Sequence, residues 1–298
     1  MFRSLIFVPS NNERFIDKAK TLNADIVCLD LEDSVPIKEK DVSRQLIKSA
    51  LIDRPNYQTR NIYARTNSFE SGMIFYDLKA IVQKGIDGIV LPKVSNENEV
   101  SAVDRILFTF EQEQGIQEKS IRIAPSIETA KGVVNSYSIA KASDRVNMLV
   151  FGIFDFQYDM HLEYDEGSDE LENTYARSKI PVDARAAGID AIDGIWQKLD
   201  DNEGLKKDAA IAKRLGYSGK SLIHPNQIEP VHAIFKPSKY EIEWARKVVK
   251  LFDEAIQDGN RNGAMRLEGK MIDAVHYKQA KAILDGASKS ESNILYNN

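Results

Sequence analysis

The sequence alternates short apolar runs with longer amphipathic stretches as far as about residue 225. Eight runs have the length and composition of β-strands, at residues 3–9, 24–32, 61–67, 87–93, 120–128, 145–152, 188–194 and 219–225. Between them, segments such as 12–23 and 75–85 repeat apolar residues every three or four positions, the period of a helix that buries one face. Eight strands alternating with helices predict an α/β protein with a (β/α)8 TIM-barrel fold, rather than an open doubly wound sheet.

The pattern changes near Pro237, where the predicted barrel ends. Residues 239–259 and 273–287 each have the pattern of one amphipathic helix, and residues 260–265, NRNGAM, are predicted to form a loop. We therefore expect a barrel domain over residues 1–238 and a C-terminal helical segment over residues 239–298, with a polar, frayed tail. No G-x-G-x-x-G follows the first strand, which argues against a dinucleotide-binding fold.

Composition limits the classes of partner. The 298 residues contain 40 Lys and Arg against 45 Asp and Glu, so the positive excess that binds nucleic acid is missing. The first apolar run is interrupted by Pro9 and followed by polar residues, which predicts neither a signal peptide nor a membrane span. The single cysteine, Cys28, lies in an apolar run, as expected of a buried thiol in a cytoplasmic protein.

Polar side chains follow the apolar runs where each predicted strand ends. In barrels of this kind the catalytic groups lie at those carboxyl ends, so side chains from separate strands meet in one pocket. In chain order the ends carry Asn11 and Asn12; Asp30, Glu32 and Asp33; Arg65; Pro92 and Lys93; Glu128; Asp155; Asp193; and His224. Clustered carboxylates need a cation, and an oxygen-rich site without paired His or Cys favours Mg²⁺. The sequence thus predicts a magnesium site at the mouth of the barrel.

Each of these residues also has an ordinary structural explanation. An acid after a strand often caps the next helix, because its oxygen accepts from the free N–H groups there. The residues with such explanations are Asp33, Asp155, Asp193 and Asp273 as helix caps, Arg65 in an ion pair, Lys93 as a rim lysine and His224 as a hydrogen-bonded structural histidine. Only the joint placement of acids and arginine at successive strand ends favours a functional site over these explanations.

The order of the motifs resembles a known family. Between Arg3 and about Leu284 the chain contains RSLIFVPSNN, DIVCLDLEDSVP, ARTNS, GIVLPKV, SIETAKGVVNSYSIA, FGIFDF, GYSGKSLIHPNQI and GKMID. This series resembles the citrate lyase β-subunit-like (CitE-like) proteins of the HpcH/HpaI aldolase superfamily, which include malyl-CoA and citramalyl-CoA lyases. The resemblance implies a TIM barrel with a C-terminal helical lid, Mg²⁺ as cofactor, and a homotrimer or hexamer in which lids are exchanged between subunits.

The resemblance also implies a role for each candidate residue. The implied roles are Glu128 and Asp155 as the Mg²⁺ ligands; Asp30, Glu32 and Asp33 as outer acids; Arg65 as a partner of substrate oxygens; the backbone around Gly152, Ile153 and Phe154 as the site for an α-keto acid carboxylate; Pro92 and Lys93 as part of a coenzyme A groove; and Asp273 as an acid/base in a neighbouring subunit's site.

These roles fit a carbon–carbon lyase that acts on a short 3-hydroxyacyl-CoA carrying a carboxylate, such as malyl-CoA or citramalyl-CoA. Cleavage gives acetyl-CoA and glyoxylate or pyruvate, reversibly, and charge must be stabilised on the hydroxyl oxygen and on the thioester enolate. Two alternatives remain open. The first is a citrate lyase β subunit that releases oxaloacetate from a citryl acyl-carrier protein within a complex. The second is a catalytically inactive coenzyme A-binding protein.

Overall fold

A computed structural model describes residues 2–59, 61–162, 171–257 and 263–295. The chain divides into two compact units, Met1–Phe235 and Lys236–Asn298. Eight parallel strands form a closed barrel in the first unit, in sequence order around the barrel. These strands are β1 Ser4–Pro9, β2 Ile26–Asp30, β3 Ile62–Arg65, β4 Gly88–Leu91, β5 Arg122–Ile127, β6 Met148–Phe151, β7 Asp190–Asp193 and β8 Gly219–Leu222. The predicted TIM-barrel fold is confirmed, since each strand lies inside one of the eight apolar runs.

Helices connect the barrel strands and cover their outer faces. They are α1 Glu13–Ala19, α2 Lys40–Ile52, α3 Ile74–Ile81, α4 Glu97–Gln114, α5 Ala130–Lys141, α6 Ile153–Asp159, α7 Thr174–Ala187, α8 Asn202–Leu215 and α9 Ile228–Phe235. Apolar side chains of these helices and of the outward strand faces form one large buried cluster. None of the helices in the described part of the chain combines the length and apolarity that a membrane crossing needs.

Side chains alternate between the two faces of each barrel strand, and this alternation positions the site. The inward cluster consists of Leu5, Ile26, Cys28, Tyr63, Val90, Ala124, Met148, Val150 and Ile192. Because the period is two residues, Asp30 follows Cys28 on the inward face, and Arg65 follows Tyr63. In the same way Glu128 lies on the face of Ala124. The polar residues at these strand ends therefore point into the mouth of the barrel.

The C-terminal unit contains a hairpin that the sequence analysis did not predict. Helices α10 Lys239–Gln257 and α11 Ala274–Leu295 are present, but strand β9 Ala264–Leu267 pairs antiparallel with β10 Lys270–Asp273. The predicted loop over 260–265 is therefore wrong at its end, while residues 258–262 lie outside the described residues. Glu268 and Gly269 form the two-residue turn with φ of 48° and 81°, as a type I′ hairpin requires. The tail expected to fray is helical as far as Leu295.

Candidate active site

Asp30, at the end of β2, organises the acid-rich segment that follows it. Its buried carboxylate accepts backbone N–H bonds from Glu32 (2.9 Å) and Ser34 (3.3 Å) and a hydroxyl bond from Ser34 (2.5 Å). Arg65 from β3 donates to both oxygens, from Nε at 2.7 Å and from Nη2 at 2.6 Å. Burial raises the pKa of Asp30, but the charge and hydrogen bonds of Arg65 lower it by more, so Asp30 stays ionised.

Arg65 is fixed from three sides. Besides the two bonds to Asp30, its Nη1 lies 3.0 Å from Oε2 of Glu32, and its guanidinium lies 4.6 Å from the ring centroid of Phe7. Its side chain is largely buried, and the neighbouring acids hold its pKa above the usual value against the opposing effect of burial. A guanidinium has five N–H donors. Asp30 engages two of them, and Glu32 forms an ion pair with the same guanidinium, so the group is oriented before any ligand arrives.

Lys93 follows β4 and turns towards the acids. Its Nζ lies 2.8 Å from Oε1 of Glu32, 3.2 Å from Oδ2 of Asp33 and 3.6 Å from Oδ1 of Asp155. Burial lowers the pKa of Lys93, but Glu32 and the other two acids raise it by more. Glu32 is buried and its pKa is raised, with burial as the largest cause. Lys93 therefore joins acids from the ends of two different strands.

Glu128 and Asp155 follow the neighbouring strands β5 and β6. Glu128 comes directly after β5, and Asp155 lies in the first turn of α6. Between them, Gly152 provides the space: a Cβ atom at Gly152 would lie 2.2 Å from Cγ and 2.9 Å from Oε1 of Glu128. No side chain larger than hydrogen fits there. Glycine is thus required for Glu128 to occupy its position in the mouth.

The environment of Glu128 is that of a carboxylate that lacks a cation. Its pKa is raised to about 7, first by burial and then by the charges of Glu32 and Asp155, against the lowering effects of Ser126 and Arg65. Its Oε2 is buried and has no hydrogen-bond partner. An unpartnered buried carboxylate oxygen is costly, and a bound cation would remove that cost. Glu128 therefore fits a metal ligand.

The start of α6 offers backbone donors beside these carboxylates. The N–H of Gly152 donates to the carbonyl of Ile127 (3.0 Å) and so belongs to the strand ladder. The N–H groups of Ile153, Phe154 and Asp155 occupy the first turn of α6, where a helix has no internal acceptor. The donors of this loop are therefore the residues after Gly152.

A comparison with known proteins identifies the family. The family described as HpcH/HpaI aldolase/citrate lyase matches residues 3–225, which is most of the chain. The chain belongs to this family. A second family, described as a C–C bond lyase of the TIM-barrel fold, matches residues 174–289. This confirms the resemblance inferred from the motifs and the classification of the chain as a carbon–carbon lyase.

Relatives in the HpcH/HpaI family share nearly the whole length of the chain. Citrate lyase subunit beta of Haemophilus influenzae is 34% identical over 96% of this chain and 96% of its own. Human mitochondrial citramalyl-CoA lyase is 33% identical over 94% of this chain and 83% of its own. The solved structure of CitE from Mycobacterium tuberculosis, in complex with magnesium, acetoacetate and coenzyme A, superposes with a TM-score of 0.78 at 25% identity, covering 96% of this chain and 98% of that chain.

The mouth of the barrel offers two carboxylates that fit a magnesium ion. Among the described residues, no group of three or more His, Cys, Asp or Glu is arranged to hold a metal. Mg²⁺ does not need such a group, because it commonly binds one or two carboxylates and completes its shell with waters and ligand oxygens. Glu128, with its unpartnered Oε2, and the half-buried Asp155 are the residues that would hold it.

One residue predicted to point into the mouth does not do so. Asp193 ends β7 on its outward face, because Ile192 is the inward residue, and it lies in a buried ion cluster with Arg177 and Lys220. The prediction that Asp193 joins the pocket is therefore wrong. His224 accepts the N–H of Asn226 (3.2 Å), which matches the structural role that the sequence left open.

Asp273 belongs to the C-terminal unit and ends β10. Its Oδ1 accepts the N–H groups of Val275 (3.0 Å) and His276 (3.3 Å) and lies 2.7 Å from the ring Nδ1 of His276. The bond to His276 is the largest cause of a lowered pKa for Asp273. The aspartate thus caps α11, which was the alternative to a catalytic role.

Sequence reasoning missed one lysine beneath the acid segment. Lys40 is buried, and its Nζ donates to the carbonyls of Leu31 (2.5 Å) and Glu32 (2.8 Å). Burial lowers the pKa of Lys40. These bonds fix the backbone from which the Glu32 side chain extends. Only a lysine at the start of an amphipathic helix marked it in the sequence, and that signal is common to exposed lysines.

Proposed function

We propose that the chain cleaves the Cα–Cβ bond of a short 3-hydroxyacyl-CoA that carries a carboxylate, of the malyl-CoA or citramalyl-CoA type, and also catalyses the reverse condensation. The products are acetyl-CoA and glyoxylate or pyruvate. The observation that supports this most is the pair of carboxylates, Glu128 and Asp155, at neighbouring strand ends beside a pre-oriented arginine, Arg65. Such a site can stabilise negative charge at two points, as this cleavage requires.

Glu128 and Asp155 would hold Mg²⁺, which would supply the positive charge that lowers the pKa of the substrate hydroxyl. Glu128 would serve as a ligand in its carboxylate form. The first-turn N–H groups of Ile153 and Phe154 hold the keto acid carboxylate next to the two acids. Their orientation favours an anion at the start of α6.

Arg65 stabilises the thioester enolate oxygen. Asp30 and the Phe7 ring fix its guanidinium, so the charge that develops in the transition state meets a donor that need not reorganise. Asp273 protonates the enolate carbon from a neighbouring subunit in a homotrimer or hexamer. His276 lowers the pKa of Asp273, so acid catalysis by Asp273 requires burial against the neighbouring barrel to raise that pKa.

The decisive experiment is a product assay with the purified full-length chain. The protein is incubated with Mg²⁺, with acetyl-CoA or propionyl-CoA, and with glyoxylate or pyruvate. The masses of the products are then measured by mass spectrometry. We expect one condensation product, and cleavage of that product when it is supplied alone. Glu128→Gln and Asp155→Asn should lower turnover at least about 100-fold, whereas Glu118→Gln, an exposed acid of the same barrel, should retain it.

A citrate lyase β subunit is the second candidate, supported by the 34% identity with that subunit of Haemophilus influenzae. It predicts no turnover of free CoA esters by the chain alone, and cleavage of a citryl acyl-carrier protein when partner subunits are added. Binding of coenzyme A without turnover of either substrate type would instead identify an inactive binding protein and contradict both lyase assignments.

A further inference from the structure

Lys93 combines a strained backbone with three acidic neighbours. Its φ is 56°, in the left-handed region that side chains other than glycine rarely adopt. Such a conformation costs free energy and persists where surrounding contacts hold it, often at functional sites. Here the contacts are the ion pairs of Nζ with Glu32, Asp33 and Asp155. The backbone therefore directs this ammonium into the acid cluster.

The three partners of Lys93 differ in depth. Glu32 is buried, with 6% of its side chain exposed, whereas the side chains of Asp155 and Asp33 are 41% and 57% exposed. Lys93 itself is 34% exposed, so its side chain borders both the buried acid and solvent. Its shortest contact is the inner one, at 2.8 Å, and Asp33 offers an outer partner at 3.2 Å.

Lys93 lies 3.6 Å from Oδ1 of Asp155, one of the two acids proposed to hold Mg²⁺. An ammonium and a divalent ion repel each other strongly at such distances, and both are attracted to the same carboxylate. We propose that the Lys93 ammonium is an internal cation that neutralises the Asp155 side of the site until Mg²⁺ displaces it towards Asp33. This inference rests on the proposed metal site and adds a residue that sets its affinity.

The inference explains why the acids tolerate their proximity without a metal. Glu32, Asp33 and Asp155 would repel one another, and Lys93 and Arg65 lower that repulsion. Lys93 thus stabilises the metal-free protein and weakens the binding of Mg²⁺ by the same contact. A lysine that only lined a coenzyme A groove would have no such effect on the metal.

The test is a calorimetric titration of metal-free full-length protein with Mg²⁺, which measures the affinity for the ion. Lys93→Met should bind Mg²⁺ about tenfold more tightly than the wild type, because one positive charge near a divalent ion is removed. Lys93→Gln, which keeps a donor for Glu32, should shift affinity in the same direction, and Lys93→Arg should remain near the wild-type value. The control is Lys131→Met, which removes the same charge from an exposed lysine in the first turn of α5. It should change Mg²⁺ affinity less than about twofold.

Thermal unfolding gives a second readout that does not depend on turnover. Without metal, Lys93→Met should melt below the wild type, and added Mg²⁺ should raise its melting temperature by more than it raises that of the wild type. Unchanged or weaker Mg²⁺ binding in both Lys93→Met and Lys93→Gln would overturn the proposal while leaving the metal site intact. Absence of Mg²⁺ binding in the wild type, or its persistence in Glu128→Gln, would instead overturn the metal site and this inference with it.

Discussion

At the scale of single residues, Gly152 is the position where the smallest change should have the largest effect. Gly152→Ala places a methyl group 2.2 Å from Cγ of Glu128, so the glutamate must leave its position. We expect Mg²⁺ affinity to fall at least about tenfold and the free energy of unfolding to fall by about 1–3 kcal/mol. Calorimetric titration and urea unfolding measure the two effects.

Gly286→Ala is the matched control, since open space surrounds its Cβ position within α11. It should keep its Mg²⁺ affinity, and its stability should not fall, because alanine favours a helix interior more than glycine does. If Gly152→Ala binds Mg²⁺ as the wild type does, Glu128 is not a metal ligand in the position described.

Glu128 gives a second residue-scale prediction, on pH. Its folded pKa of about 7 exceeds the usual 4.5, so the folded state favours the protonated acid. The resulting stability is complete below pH of about 4.5 and is lost as the pH rises through 7, with a total of roughly 3 kcal/mol. In metal-free urea unfolding, the wild type should therefore lose stability relative to Glu128→Gln between pH 4.5 and about pH 8. A pH-independent difference between the two proteins would contradict this.

The sequence could predict these residues but not their partners. Acids and an arginine at strand ends suffice to locate a mouth, because parallel strands of a barrel all end at one rim. The turn of Lys93 into the acids depends on a left-handed backbone at a non-glycine residue, for which LPKV carries no local signal. The burial of Lys40 likewise depends on packing that only the folded chain creates.

At the scale of elements, a buried ion cluster joins α7 and α8 to the barrel. Asp193 of β7 contacts Arg177 of α7 (2.7 Å) and Lys220 of β8 (2.7 Å), and Asp208 of α8 pairs with the same two cations. Burial raises the pKa of Asp193, but the charges of Lys220 and Arg177 lower it by more. The ion pairs of these four groups fix the helices to the strands.

Asp193→Ala should lower the free energy of unfolding by about 3–5 kcal/mol, since two buried cations then share one remaining acid. Because the cluster lies outside the mouth, the folded variant should keep its Mg²⁺ affinity. Urea unfolding and calorimetry check both. Glu203→Ala, which removes an exposed ion pair with Lys206 in α8, should lower stability far less than Asp193→Ala does. An equal loss of unfolding free energy in the two variants would mean that the buried cluster stabilises the fold no more than an exposed ion pair does.

The parity of strand residues is the reason that Asp193 was misplaced. Asp30 and Arg65 share the face of inward residues, but Asp193 follows the inward Ile192 and therefore faces the helices. For a strand as short as β7, with the sequence DAID, a sequence cannot show which residues point inward, because each face carries one aspartate and one apolar residue. The eight strands themselves were predictable, since each is bounded by a helix with a clear period.

At the scale of the whole molecule, each unit has its own apolar core. In the C-terminal unit Ala245, Val248 and Phe252 of α10 pack with Ile272 and Ala280, and the Phe252 ring stacks on Tyr277 at 5.2 Å. A separate core of this kind is typical of a segment that folds as its own compact unit. The hairpin that completes this unit was not predictable from period alone, because its strands are four residues long.

The proposed exchange of C-terminal units between subunits can be tested by mixing two inactive proteins. Glu128→Gln lacks a metal ligand and Asp273→Asn lacks the proposed acid, so neither should turn over alone. If one subunit's Asp273 serves a neighbour's barrel, mixed oligomers assembled after co-expression contain sites with both residues intact, and about a quarter of wild-type activity should return. If Asp273 serves its own barrel, every site in the mixture still lacks one of the two groups, and activity should remain at the level of the parents. The matched control is the double variant that carries Glu128→Gln and Asp273→Asn on one chain, because it has no intact Glu128 or Asp273 to share.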